Sequence, residues 1–142
     1  MLISCFTKTE NDMNLIEIFS IIIIHWIADF VCQSHWQATN KSKNNYALLA
    51  HTITYSVIWA FLAYFTLFWY LVITREKVHS TPELLYWFIP ITFVCHTITD
   101  YFTSRLNTKL WNKGDVHNFF VSVGFDQVLH YIQLFTTYWL LK

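Results

Sequence analysis

Charge is scarce in this 142-residue chain: Lys, Arg, Asp and Glu together make up 13%, where a soluble domain carries about 25%. So few charges cannot cover a surface that faces water, so lipid is the expected solvent. Glycine and proline occur only twice each, which excludes collagen-like repeats and Pro/Gly-rich disorder. The three cysteines, Cys5, Cys32 and Cys95, include no C-x-x-C pair and cannot build a disulfide framework; they read as small apolar residues. Nine basic residues balance nine acidic ones, so the chain lacks the electrostatic footprint of a nucleic-acid binder.

What the chain has in quantity is long apolar runs. A bilayer-spanning helix needs about 20 predominantly apolar residues, and four stretches qualify: residues 15–36, 46–74, 84–103 and 116–141. The expected fold is all-α, a four-helix transmembrane bundle running up-down-up-down as one integral membrane domain over residues 1–142, with residues 1–12 as a polar lead. A soluble four-helix bundle would need a charged stripe on every helix, and the segment 44–74 contains no charge at all. The first stretch lacks a basic region directly before it and an A-x-A-like site after it. It therefore reads as a retained helix, with Met13 as an alternative start.

The connections suit this scheme. Residues 40–45 and 105–115 are polar, and Thr81-Pro82-Glu83 reads as a helix start, with Thr81 capping, Pro82 in the first turn and Glu83 facing the positive end of the helix dipole. Pro90 is expected to kink the third helix. Trp36, Trp69, Tyr70, Tyr86, Trp87, Trp111, Tyr138 and Trp139 gather at span ends, where an interfacial belt places them. Lys41, Lys43, Arg105, Lys109 and Lys113 lie in the first and third loops, against Lys8, Arg75, Lys77 and Lys142 elsewhere. The positive-inside rule then puts those two loops on the cytoplasmic face and both termini outside, and the expected location is the bacterial inner membrane.

From Ile18 to Asn40, from Leu84 to Ser104 and from Val116 to Leu141 the sole formal charge is an aspartate, each with a histidine four residues away: His25 with Asp29, His96 with Asp100, Asp126 with His130. On an α-helix that spacing turns two side chains only about 40° apart, so both project from one face. His51 joins them near the start of the second helix. At a rise of about 1.5 Å per residue, all seven groups fall in one slab of the bundle. An unpartnered Asp at a helix centre costs about 2.5–3.5 kcal/mol, so three would cost roughly 8–10 kcal/mol. They must be paired, protonated or bound to a cation.

Three readings follow. The cluster binds one or two divalent metals, for which imidazole and carboxylate suit Zn, Mn or Fe; it forms a proton or ion relay; or it supplies interhelical hydrogen bonds that hold the bundle. Under the first, His25, Asp29, His51, His96, Asp100, Asp126 and His130 are the candidate ligands, Asp29 or Asp126 is the candidate proton acceptor, and Gln33 and Gln127 support the ligands from behind. A metal-dependent hydrolase acting on a lipid or other membrane-embedded substrate is then the expected activity. No Ser-centred nucleophile motif or Gly-rich phosphate loop is present. The non-enzymatic alternative is a membrane interaction or accessory protein with a structural polar core. His35 and His117 at span ends, His79 in a loop, and the Lys41/Lys43 pair as a topology determinant take ordinary roles.

The segment from His25 to Gln33, a loop with Lys41, His51 early in the next helix, then His96 to Asp100 and Asp126 to His130, together resemble the bacterial and phage membrane-protein family called domain of unknown function 3307. The resemblance implies a small four-helix membrane protein and brings no activity with it. A basic residue often follows the third motif at once in that family; here Arg105 comes five positions after Asp100. The site is also distantly similar to small membrane-bound metal-dependent hydrolases that carry His and Asp on transmembrane helices.

Overall fold

A computed structural model describes residues 13–74 and 81–142. The polar lead, the connection at 75–80 and the capping side chain expected at Thr81 lie outside the described residues. Among those described, the chain is all-helical: α1 Leu15–Trp26, a π-helical turn Ile27–Val31, α2 His35–Asn40, α3 Asn45–Thr74, α4 Thr81–Asn112 and α5 Val116–Leu141.

The expected continuous first helix over 15–36 is corrected. α1 starts on a capping box, in which the Asn14 side chain accepts from the Glu17 amide and the Glu17 carboxylate accepts from the Asn14 amide. It then widens into the π turn, where the Cys32 amide donates to the Ile27 carbonyl five residues back. The chain breaks and restarts on a second capping box, Ser34 with Gln37. The Gln33 side chain donates to the Asp29 carbonyl at 3.1 Å, satisfying an acceptor beside the break. π turns inside helices gather at functional sites, and this one carries Asp29.

The later elements stay closer to expectation. α5 spans the residues read from the sequence. α4 extends past 84–103 at both ends and continues through Pro90 to 32 residues, about 48 Å. Hydropathy marks the part of a helix that avoids water; it does not mark where the helix stops. α4 ends at Gly114, whose φ of 71° is the left-handed conformation a Schellman ending requires. The Asp115 amide donates to the Leu110 carbonyl and the Gly114 amide to the Trp111 carbonyl. Asp115 then caps α5 by accepting from Asn118, and the Asn118 side chain and amide hold the Asp115 carboxyl below its ordinary pKa.

Packing closes a ring of four: α1 touches α3 and α5, α3 touches α4, and α4 touches α5, while α2 lies on α3. At one end Thr108 donates to Ser42 and Arg105 to Asn45, which brings the first and third connections together. At the other end Glu17 accepts from Tyr138 and Lys142. An apolar core of Ile21, Ile24, Tyr55, Trp59, Leu84, Leu85, Phe88 and Leu134 fills that half of the ring. The outer surface is apolar as well, with Phe61, Phe102 and Phe120 each about two-thirds exposed. The other half of the interior is polar, and it contains the histidines and aspartates. Among the described residues one helical segment, Asn45–Trp69, is long and apolar enough to cross a membrane by length and composition.

Candidate metal centre

α1, the π turn, α3, α4 and α5 each deliver part of one buried cluster. His25, Asp29, His51, His96, Asp100, Asp126 and His130 are all no more than 8% exposed. Inside the cluster the donor atoms sort into two sets that share Asp100.

The first set joins Asp29, His51, His96 and Asp100, whose donor atoms all lie within 4.8 Å of one another. His51 Nε2 is 3.1 Å from both Asp29 Oδ1 and Asp100 Oδ2, His96 Nε2 is 3.7 Å from each of the same oxygens, and the two Nε2 atoms are 3.2 Å apart. A tetrahedral ion with bonds of about 2.0–2.2 Å holds its ligands roughly 3.3–3.6 Å from one another, so these separations bracket its edges. Asp29 Oδ1 lies 3.1 Å from His51 Nε2 without the alignment of a well-formed hydrogen bond. The two atoms face a shared space more than they face each other, as donors to a common ion do. Two imidazole nitrogens and two carboxylate oxygens suit Zn, Mn or Fe.

The second set joins Asp100, Asp126 and His130. His130 Nε2 lies 3.5 Å from Asp100 Oδ1 and 3.3 Å from Asp126 Oδ1.

His25, expected among the ligands, stands beside both sets. Its Nδ1 is 3.0 Å from the Tyr55 hydroxyl and its Nε2 is 3.0 Å from Gln127 Oε1. Gln127 Nε2 donates to Asp126 Oδ2 at 3.1 Å and reaches Asp29 Oδ2 at 3.5 Å. Those two bonds orient the amide with its oxygen towards His25. His25 therefore donates from Nε2 and accepts the Tyr55 proton at Nδ1. Both ring nitrogens are in use, and the ring braces Gln127 against two of the three aspartates. Gln127, read from the sequence as a support for the ligands, lies between His25 and the Asp126 and Asp29 carboxylates. Gln33 supports the site through the backbone of Asp29 and touches no ligand atom.

Two residues escaped the sequence reading. Tyr55 lies flat on His96, with centroids 3.7 Å apart and planes within 5°, while its hydroxyl holds His25. It follows His51 by four residues, so the spacing that selected the three His/Asp pairs also marks it. Lys41 leaves the polar loop and reaches inward: its Nζ donates to Asp100 Oδ2 at 2.7 Å and lies 3.3 Å from His51 Nε2. Burial works to lower the Lys41 pKa, and the Asp100 and Asp29 carboxylates outweigh it, holding the ammonium above the ordinary lysine value. Nothing in the spacing of Lys41 separates it from Lys43. With neutral histidines, three carboxylates against this one ammonium leave a formal excess of two negative charges, which one divalent cation neutralises.

Comparison with curated proteins and with solved structures gives no match. A family match covers residues 18–142, from the first turns of α1 through every element of the cluster to the end of the chain. The chain belongs to the family described as protein of unknown function DUF3307.

Proposed function

We propose that this protein is an integral membrane metalloprotein whose buried His/Asp centre binds a divalent cation and hydrolyses a membrane-embedded or interfacial substrate. The observation that carries the reading is the first donor set: two imidazoles and two carboxylates from three separate elements, all within 4.8 Å of one another, with the separations that involve a ring nitrogen at 3.1–3.7 Å, close to the edges of a tetrahedral site. A bound divalent ion would supply a Lewis acid and a water acidified towards a pKa of ~7. The chain itself supplies the rest. Asp29 faces the donor set with Oδ1 and keeps Oδ2 outside it, within reach of Gln127, so Oδ2 is the oxygen placed to accept a proton. Tyr55 and His25 fix Gln127 and so fix that oxygen.

The membrane part of the proposal rests on the distribution of polarity. Large apolar side chains cover the outside while the titratable groups are inside, the arrangement expected around a polar cavity in lipid. Exposed Trp36, Trp69, Trp87, Trp111 and Trp139 suit an interfacial belt. α4 is longer than the roughly 30 Å hydrocarbon core, so its Arg105 and Lys109 end would project with the Lys41 loop on the cytoplasmic side. Cysteines introduced at Ser42 and Asn112 are expected to react with an impermeant maleimide from the same face in inverted vesicles. Reaction from opposite faces would defeat the four-crossing arrangement.

One observation favours a second reading. The Lys41–Asp100 ion pair partly satisfies the cluster without a metal, as a purely structural polar core would. Elemental analysis of the detergent-purified protein separates the two. The metal reading expects at least one transition metal per chain, retained on gel filtration or recovered after adding Zn or Mn. A protein that takes up neither has a structural core, and the hydrolase proposal goes with the metal.

A further inference from the structure

We infer that the centre holds two cations, bridged by Asp100. This rests on the metal reading of the first donor set and extends it to the second; with two divalent cations bound, Lys41 swings out of the site, and the three carboxylates leave one positive charge for an exogenous anion. The key is that the two oxygens of Asp100 face different partners. Oδ2 lies with His51 and His96, whereas Oδ1 turns to His130 at 3.5 Å. A carboxylate shared in this way joins paired ions about 3.5–4 Å apart in two-metal hydrolytic sites.

The second set has its own reason to bind an ion. His130 Nε2 and Asp126 Oδ1 are both buried and 3.3 Å apart, yet they are not aligned as a well-formed hydrogen bond. A plain Asp–His pair on successive turns of one helix would align the ring N–H on the carboxylate and satisfy both atoms, because leaving them unpaired costs about 1–3 kcal/mol each. Here the nitrogen and the oxygen flank a point that Asp100 Oδ1 also faces. Two carboxylate oxygens and one imidazole nitrogen suit Mn, Fe or Zn, and three protein ligands leave coordination positions open, as catalytic sites do. Asp126 becomes a ligand, and the proton-accepting role stays with Asp29.

Mn²⁺ is the probe. The detergent-purified full chain is stripped with chelator, reloaded with Mn²⁺, desalted, and measured for manganese content and by electron paramagnetic resonance. The expected result is two Mn per chain with the spectrum of an exchange-coupled pair. Asp126→Asn and His130→Ala should each retain one Mn per chain and show the spectrum of an isolated ion. One Mn per chain in the wild type, or an Asp126→Asn protein that still holds a coupled pair, overturns the second site and leaves the first intact, and two uncoupled ions overturn the bridge by Asp100. No manganese and no zinc in the wild type overturns the metal reading itself. Should either variant fail to fold, the wild-type ratio and coupling alone decide the inference.

Discussion

His96→Ala is expected to abolish the stabilisation that a divalent cation gives through the first donor set. A ligand that binds only the folded state stabilises it by mass action, about 2.7 kcal/mol when the free ion is at 100 times its Kd. For a chain of this size that corresponds to roughly 8 °C in Tm, at about 3 °C per kcal/mol. Wild-type protein should therefore rise by that amount with Zn or Mn and fall back when chelator is added. His96 is fully buried, stacked on Tyr55, and contributes one of the four converging donors. Its removal also costs packing, so the variant starts lower in the absence of metal, by the few kcal/mol of a buried large-to-small change. What distinguishes the metal site from a polar core is the response to chelator. Wild type must lose stability on chelation, and His96→Ala must lose clearly less, keeping only what the Asp100/Asp126/His130 set contributes. If chelator moves neither protein, the histidines serve packing alone.

How much of this was legible in the sequence depends on the distance over which each feature is decided. The His/Asp pairs are intrahelical, so a four-residue spacing is enough to put each pair on one face, and lone acids in apolar runs mark which faces turn inward. The break in the first helix was also local: Ser34 and Gln37 form the S-x-x-Q pattern of a capping box, but the apolar run around them concealed it. Lys41 was out of reach, because its role depends on a long flexible side chain finding Asp100 from a different element, 59 positions away. The division of the cluster at Asp100 is more remote still. It turns on which carboxylate oxygen faces which helix, a rotamer decided by packing, and no spacing rule contains it. His25 shows the same limit in reverse: its position suits a ligand, and only the amide orientation of Gln127 shows both its nitrogens engaged.

The Lys41–Asp100 pair should show a loss of stability and a gain of metal affinity, from opposite ends of the same contact. In metal-stripped protein, Asp100→Leu takes the closest carboxylate from the Lys41 ammonium, whose side chain is partly exposed and can swing out, so the cost is about 1–3 kcal/mol and not that of a fully buried pair. Adding Lys41→Met removes the stranded charge. The double variant should therefore recover part of the loss, with a coupling of about 0.5–3 kcal/mol in a double-mutant cycle read by thermal or denaturant unfolding. The effect on metal runs the other way. Lys41 Nζ donates to Asp100 Oδ2, one of the oxygens in the first donor set, so the ammonium competes with any cation that needs it. Like charges a few Å apart repel by several kcal/mol at the screening typical of proteins, and the long lysine side chain relieves most of that by swinging out. Lys41→Met alone should thus bind Zn or Mn on the order of tenfold more tightly, while Asp100→Leu binds neither. Isothermal titration of the stripped proteins measures both. Weaker metal binding by Lys41→Met would mean that the ammonium helps to build the site instead of competing for it.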